Sequence, residues 1–576
     1  MSASSSTSVL LRNWRDHLPA GFMLIAWLCV AVHTCQSMSV TFDEIWHLPV
    51  GVRNLVDGDY AEDRLNPPLS RMWAAIPLGL SGVDVAPGSA DVSIGERFVA
   101  EHEDFLQWYV TGRYFNLIWP LLTALLVYRV ILSSHGLGAA RLSLLAFLCC
   151  PDVIAHGSIV TPDSAAMFFF FATSVGLARW IAVPNWGRTI TLGGLLGLLQ
   201  AVKYTGVVFF PVVAVLGLWE AIRGRTAEWD TLKWQGATLR AAAILVTCLF
   251  SLAACYRFQG LFETWQSFAL QSVDLRTLRE LTGFLGQLPV PVPRDYLLGL
   301  DAQRTIMEGL HPTFLNGEWS LTGFHSYFLW ALIYKIPLAV LGLAFIGCVV
   351  VARRTRQLGG TVIGAYLFPV LILLGIASLS SMQLGVRYVM PVLPLLACVA
   401  GASDCLTVFW NQITRKIAMC VVGLGLLSVW RFHPHHLSYF NELAGGPLGG
   451  RQHLIDSNID WGQDLLRAKA VYASHPEETI RLAYFGTVDP RQVGIPCHVP
   501  PSHLPEPGLF LVSVSYVMGR PGTVREADGR VRSADANEYG YFRYFEPRQH
   551  VGYSLDLYRL TVQDCDRYRV EMELAE

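Results

Sequence analysis

Long apolar stretches separated by polar segments fill the first three quarters of the chain. Allowing ~20 residues for each membrane crossing, we expect about eleven transmembrane helices. They are predicted at 20–37, 113–133, 139–156, 161–180, 189–203, 204–222, 237–258, 326–352, 361–381, 385–403 and 414–431. The pattern therefore predicts a polytopic α-helical membrane protein.

The longest apolar stretch, residues 189–220, is interrupted only by Lys203 and Gly206. It could form one long helix or two short ones. With the N-terminus inside, two helices place Lys and Arg in every cytoplasmic loop, as the positive-inside rule requires. One helix would turn the last two basic clusters outward. We therefore predict two helices that meet near Lys203 at the outer surface.

This topology brings charged residues from distant parts of the chain to one membrane face. They are Asp43 and Glu44 after the first span, Asp163 and Lys203 at outward ends of spans, and Arg387 at the start of the tenth span. Each could by itself be a helix cap or a snorkelling side chain. Charges beside a bilayer are costly unless they are paired, hydrated or used, so their convergence favours one functional site.

The sequence after residue 431 is polar, aromatic and rich in glycine. Strand-like runs lie at 479–485, 508–517 and 553–560. Asp460, with Gln463 three residues later, predicts a helix over 461–474. The predicted organisation is a cytoplasmic tail at 1–19, a transmembrane catalytic domain at 20–431 with outer loops at 38–112 and 259–325, and a small α/β extracytoplasmic domain at 432–576.

Composition supports a membrane protein and excludes some functions. The chain is 52% hydrophobic and 15% charged, whereas soluble proteins have about 25% charged residues. The net charge of −2 gives no basis for a nucleic-acid partner. Ten of the twelve cysteines lie in or beside apolar segments; Cys497 and Cys565 could pair if the C-terminal domain is outside the cytoplasm.

Familiar cofactor motifs are not found in the sequence. It has no P-loop and no dinucleotide-binding GxGxxG, so nucleotide-driven transport lacks its marker. His433, His435, His436 and His453 could bind zinc, but their spacing is irregular and no Cys partner accompanies them.

A lipid-phosphate sugar donor would suit the remaining pattern. Its isoprenoid tail would lie between helices, and its phosphate would need Lys or Arg. A carboxylate such as Asp43 could act as general base on an acceptor hydroxyl. The cations, or a divalent metal ion, would stabilise the departing lipid phosphate. A single direct displacement would invert the anomeric centre.

Several motifs carry a family resemblance. They are FDEIWHLPVGVRNLVDGDYAEDRLNPPLSRMWAAIPL from residue 42, VTPDSAAMFFF, AVKYTG, HSYFLWALIYKIPL, LGVRYVMPVLPLL, YFNELAGGP and DSNIDWGQDL. In their order and spacing they resemble the bacterial phospholipid-carrier-dependent glycosyltransferases of the GT-C fold. That group includes the protein O-mannosyltransferases of glycosyltransferase family 39 and the aminoarabinose transferases that modify lipid A.

The resemblance implies roles for particular residues. Asp43 maps to the catalytic aspartate, and Glu44 and Asp163 would orient it. Alternatively, Asp43 and Asp163 would hold a metal ion. Candidates for the donor phosphate are Arg64, Lys203 and Arg387. Candidates for the acceptor side or for support of the site are Asn66, Lys335, Asn441, Glu442, Asp460 and Trp461. Asn66 stands where His often precedes the two prolines, and no β-trefoil domain is present, so protein O-mannosylation is not implied.

We therefore predict a glycosyltransferase in the cell membrane, with its N-terminus cytoplasmic and its C-terminal domain outside. Its partners would be a polyprenyl-phosphate sugar donor, membrane lipid, and an acceptor protein, lipid or glycan. The sugar and the acceptor stay open. The alternative is a lipid or sugar-lipid flippase, which predicts inverted repeats and charges near the midplane; a membrane scaffold would tolerate loss of Asp43, Asp163 and Lys203 together.

Overall fold

The computed structural model describes residues 14–223, 233–358, 360–404, 423 and 430–573. The helices are α1 Leu18–Ser37, α2 Glu44–Val56, α3 Leu69–Leu80, α4 Ile94–Glu101, α5 Phe105–Asn116, α6 Ile118–His135, α7 Leu137–Leu148, α8 Pro151–Gly157, α9 Asp163–Ala182, α10 Trp186–Gln200, α11 Phe209–Arg223, α12 Lys233–Cys255, α13 Val273–Leu281, α14 Arg294–Met307, α15 Tyr327–Lys335, α16 Leu338–Leu358, α17 Gly360–Leu379, α18 Val392–Ala402, α19 Gly446–Gly450, α20 Leu465–Ser474, α21 Val514–Val517 and α22 Val562–Glu571. The strands are β1 Thr313–Leu315, β2 Glu318–Ser320, β3 Ile480–Ala483, β4 Gly508–Ser513, β5 Gly522–Arg525, β6 Val531–Ala534, β7 Gln549–Val551 and β8 Leu555–Leu560.

The predicted polytopic helical architecture is confirmed, but not the count of eleven spans. Within the described ranges, 6 helices are long and apolar enough to cross a membrane, and two bent pairs raise the total to 8. The pairs are Leu137–Leu148 with Pro151–Gly157, bent by 60°, and Tyr327–Lys335 with Leu338–Ala352, bent by 113°. The predicted span at 414–431 lies, apart from residues 423, 430 and 431, outside the described residues.

The apolar stretch at 189–220 divides at Lys203, as predicted. Helix α10 ends at Gln200, and a 3₁₀ turn over Tyr204–Val208 leads into α11. Lys203 has an extended backbone between them, with φ −155° and ψ 134°. Because this break ends one helix and begins another, it fixes the backbone from which the Lys203 side chain extends.

Two short amphipathic helices, α2 and α3, follow the first span and pack against each other. A Cβ on Gly51 in α2 would overlap the backbone carbonyl of Arg71 in α3, so the absence of a side chain permits their close contact. Their apolar faces join a buried cluster that also includes Leu465, Ile480 and Leu509 of the C-terminal region. The segment after the first span and the C-terminal region therefore share one core.

The C-terminal domain is built on a four-stranded sheet in the order β3-β4-β8-β7. Strands β3 and β4 are parallel, whereas β4, β8 and β7 are paired antiparallel. Strands β5 and β6 form a separate antiparallel hairpin. Cys497 and Cys565 are both buried free thiols, so the disulfide considered above does not form.

The predicted helix at 461–474 begins later, at Leu465. Asp460 does not cap it: its Oδ2 accepts a hydrogen bond of 3.1 Å from the backbone N–H of Ser515. Asp460 therefore bonds to a residue distant in sequence instead of capping the helix that follows it.

Candidate active site

A cavity of about 640 Å³ lies where α2, α9, the Lys203 break and the turn at Val386–Val389 meet. Its polar lining includes Asp43, Asp163, Lys203 and Arg387. The predicted convergence of these four side chains therefore corresponds to a real cavity.

Asp43 occupies the residue before α2, where a helix-capping side chain would lie. It makes no side-chain capping bond. Instead its Oδ2 accepts a hydrogen bond of 2.7 Å from Nη1 of Arg387. The Asp43 side chain is 30% exposed, against 1% for Asp163, so it is the accessible carboxylate of the pair.

Asp163 lies beneath the two cations of the cavity. Its Oδ1 accepts a hydrogen bond of 2.6 Å from Nζ of Lys203, and its Oδ2 is 3.8 Å from Nη1 of Arg387. Removing one member of a buried charge network leaves an uncompensated charge. Asp163 therefore positions both cations and keeps them buried in one place.

Aromatic rings enclose the same cations. The Arg387 guanidinium carbon lies 4.4 Å from the centroid of the Trp461 ring and 5.1 Å from that of Tyr388. Nζ of Lys203 lies 5.1 Å from the Tyr388 ring. These cation–π contacts help to hold Arg387 and Lys203 in fixed positions at the cavity.

Glu44, the neighbour of Asp43, lies outside the cavity lining and is fully buried. Arg113 donates to both of its oxygens, at 2.8 and 2.6 Å, and the backbone N–H groups of Thr41 and Val160 donate at 3.1 and 2.9 Å. Arg113 also binds the carbonyls of residues 35, 38 and 39. Glu44 therefore anchors the loop that carries Asp43.

Arg64, the third residue predicted to bind the donor phosphate, and the motif Asn66-Pro67-Pro68 lie at the edge of the site. Nε of Arg64 donates to Asp295 at 2.7 Å, and Arg64 does not line the cavity. Asn66 does line it, together with Pro67.

The residues predicted to support the site mainly form hydrogen bonds to backbone groups. Nζ of Lys335 donates to the carbonyls of Leu437 and Asn458 at 2.8 and 2.7 Å, at the sharp bend between α15 and α16. Asn441 donates to the carbonyls of residues 333 and 336 and accepts from two N–H groups of its own turn. Glu442 is exposed, and the Trp461 ring lies against Arg387.

Asp43 and Asp163 are the residues predicted for a metal ion. The Arg387 guanidinium, rather than further ligands, lies between them. Among the residues the structure describes, no group of three or more His, Cys, Asp or Glu side chains is arranged to hold a metal.

Several cavity residues were missed by sequence reasoning. They are Trp46, His47, Glu62, Asp63, Gln303, Arg304 and Tyr388. His47 stands four residues after Asp43, one helical turn on, which is the spacing that could have identified it. Burial lowers the pKa of His47, so its imidazole is neutral near pH 7.

The fold and the cavity define a polytopic membrane protein with a charged site beside an apolar wall. Residues 22–262, less than half of the chain, match the sequence model of the family Dolichyl-phosphate-mannose-protein mannosyltransferase. The match contains Asp43, Asp163 and Lys203. It supports the resemblance to the protein O-mannosyltransferases of the GT-C fold.

Solved structures with similar folds were also found. ArnT from Cupriavidus metallidurans in the apo state is 13% identical with a TM-score of 0.46, over 75% of this chain and 65% of that one. ArnT bound to undecaprenyl phosphate is 12% identical with a TM-score of 0.45, over 89% and 97%. The archaeal oligosaccharyltransferase AglB from Archaeoglobus fulgidus, in complex with an inhibitory peptide and a dolichol-phosphate, is 10% identical with a TM-score of 0.41, over 90% and 74%. A comparison with curated protein sequences gives no match.

Proposed function

We propose that the protein transfers a sugar from a polyprenyl-phosphate carrier to an acceptor hydroxyl at the outer face of the cell membrane. The observation that carries the proposal is the placement of Lys203 and Arg387 beside the accessible carboxylate of Asp43 in one cavity. The matched family is named for dolichyl-phosphate-mannose, a sugar on a lipid phosphate, which supports this donor class.

The cavity offers both parts of such a donor a suitable surface. Val207, Val208, Leu373, Ile376 and Ala377 line it on one side and suit an isoprenoid chain. Lys203 and Arg387 suit the phosphate, because cations with fixed positions stabilise phosphate oxygens strongly. The sugar would then lie next to Asp43.

The transfer step follows from these positions. Asp43 takes the proton of the acceptor hydroxyl while the acceptor oxygen forms a bond to the anomeric carbon. The bond from the anomeric carbon to the phosphate oxygen breaks, and its electron pair leaves with the lipid phosphate, next to Lys203 and Arg387. One displacement of this kind inverts the anomeric configuration. Binding of the phosphate would also draw Arg387 away from Asp43 and so free that base.

The orientation follows from the charges of the loops. Positive residues favour the cytoplasmic side, which puts the cavity and the C-terminal domain on the outer side. The domains at 1–19, 20–431 and 432–576 then become a cytoplasmic tail, the catalytic membrane part and an outer domain.

The substitution Asp43→Asn tests the proposal. We expect transfer from a radiolabelled polyprenyl-phosphate sugar to fall by roughly 10²–10⁴-fold, the contribution of a general base. Binding of the lipid phosphate should persist. The matched control is Asp57→Asn, which changes an exposed carboxylate at the other end of α2, paired with Arg53.

Equal turnover in wild type and Asp43→Asn would remove Asp43 as the base. The wild-type protein could also fail to use any such donor and instead move the lipid between vesicle leaflets. That result would show that the protein is a flippase and not a glycosyltransferase.

A further inference from the structure

A second cavity, of about 230 Å³, lies beside the first. Three separate parts of the chain form it: the start of α2, the start of α4 and the C-terminal domain. They contribute Phe42 and Trp46, Glu96, and Tyr484, Thr523 and Arg525. Small-molecule sites occur preferentially at such junctions between domains.

The second cavity is connected to the transfer site through Trp46, which lines both cavities. Asp43 and Trp46 are three residues apart at the start of α2 and therefore lie on the same side of the helix. Phe42, in the wall of the second cavity, precedes Asp43 directly. Trp46 is thus shared by the second cavity and the cavity that contains Asp43.

The walls have the chemistry of a site for a polar ring. Phe42, Trp46 and Tyr484 present aromatic surface, on which the C–H face of a ring can pack. Thr487 and Thr523 supply hydroxyls, and the Arg525–Glu96 pair, joined at 2.8 Å, offers donors and acceptors together.

The local charge favours a neutral ligand. Arg525 is balanced by Glu96 and also lies 3.7 Å from Asp489. A phosphate or carboxylate would have to compete with both carboxylates for this guanidinium. The small volume, compared with about 640 Å³ in the first cavity, favours one ring over a long chain.

We infer that the second cavity binds a neutral sugar ring of the acceptor and presents its hydroxyl past Trp46 to Asp43. The inference rests on the proposed function and narrows its acceptor to a saccharide-bearing molecule.

Binding of free saccharides tests the inference without requiring turnover. A panel of methyl glycosides and disaccharides would be screened against the purified full-length protein by ligand-observed NMR, beside a Ser/Thr-containing peptide. The test variants are Thr523→Trp, which fills the cavity from an exposed position, and Arg525→Ala. The matched control is Arg530→Ala. Arg530 lies in the loop between β5 and β6, next to the strand that carries Thr523 and Arg525. It is 77% exposed and does not line the cavity.

At least one saccharide should bind wild type and Arg530→Ala. Its Kd should rise roughly tenfold or more in both test variants, because the tryptophan side chain occupies the cavity and Arg525→Ala removes a charged hydrogen-bond donor. No binding by any saccharide, equal binding in all variants, or selective binding of the peptide would overturn the inference. Binding of polyprenyl phosphate is measured on the same samples. If wild type does not bind polyprenyl phosphate, the proposed donor is refuted. If it does, but saccharide binding is the same in wild type and in both test variants, only the second site is refuted.

Discussion

At the residue scale, three carboxylates that were predicted to share one site take three different roles. Asp43 is accessible and contacts Arg387, Glu44 is enclosed by Arg113, and Asp163 lies under the two cations. Asp43 gives up a helix-capping bond, a contact of about 1 kcal/mol elsewhere. A local stabilising interaction is commonly lost at positions that serve function instead.

Glu44→Gln tests the structural role of Glu44. The substitution removes the charge that compensates Arg113, which is 1% exposed. Breaking a buried pair in this way costs about 3–5 kcal/mol. We expect a lower melting temperature in detergent, with activity falling only as far as the folded fraction falls. A variant that folds like wild type but cannot transfer sugar would instead make Glu44 part of the chemistry.

At the scale of elements, the break at Lys203 depends on how α10 packs. Gly193 and Gly197 of α10 lie against the backbone of α12. A Cβ on Gly197 would overlap the carbonyl oxygen of Cys248, so these small residues allow the two helices to approach closely. The position of α10 then sets that of Lys203, three residues beyond its last residue.

Gly197→Ala should therefore destabilise the protein and weaken the site. The added methyl group must push α12 away, and overpacking of this kind costs typically about 1–3 kcal/mol. Gly194→Ala is the control in the same helix, because the nearest atom to its Cβ is Ser251 Oγ at 3.7 Å, an ordinary contact. We expect a lower melting temperature and weaker lipid-phosphate binding for Gly197→Ala alone. Equal behaviour of the two variants would argue against close packing of α10 on α12.

At the scale of the whole molecule, the C-terminal domain holds the loop that carries Asp43 in place. The N–H groups of Ser39 and Phe42 donate to the carbonyls of Gln463 and Trp461, both at 2.9 Å. The side chain of Thr487 donates to the carbonyl of Phe42 at 3.0 Å. These bonds hold the residues that directly precede Asp43, so docking of the domain fixes the backbone from which the Asp43 side chain extends.

The docked domain should have a pH-dependent stability. Burial raises the pKa of Asp460 to about 7 and that of Asp464 to about 6, from an ordinary 3.8. Between pH 3.8 and about 7, the folded protein keeps protons that the unfolded chain has lost. The free energy of unfolding therefore falls as the pH rises through this range.

Asp460→Asn should remove part of this dependence. The variant stays neutral, so its melting temperature relative to wild type should increase from about pH 5 to about pH 8. Thermal unfolding of the two proteins across this range measures the effect. A difference that is constant with pH would show that Asp460 does not titrate in the folded protein.

The sequence by itself determined the membrane class, most span positions, the break at Lys203 and the convergence of Asp43, Asp163, Lys203 and Arg387. These properties are local or follow from charge asymmetry, because a span needs only a run of apolar residues and a loop only its own basic residues. The number of full crossings was not determined, since the bend at Lys335 depends on carbonyls that lie about 100 residues later.

Only the tertiary structure decided which neighbouring carboxylate is accessible and which is buried. Asp43 and Glu44 are adjacent, and their difference comes from Arg387 and Arg113, which lie far away in sequence. The same holds for Asp460, whose partner Ser515 replaces the helix cap, and for the second cavity, which three distant segments enclose. A side chain's role at such places is set by the partner that folding brings to it, and no local pattern contains that partner.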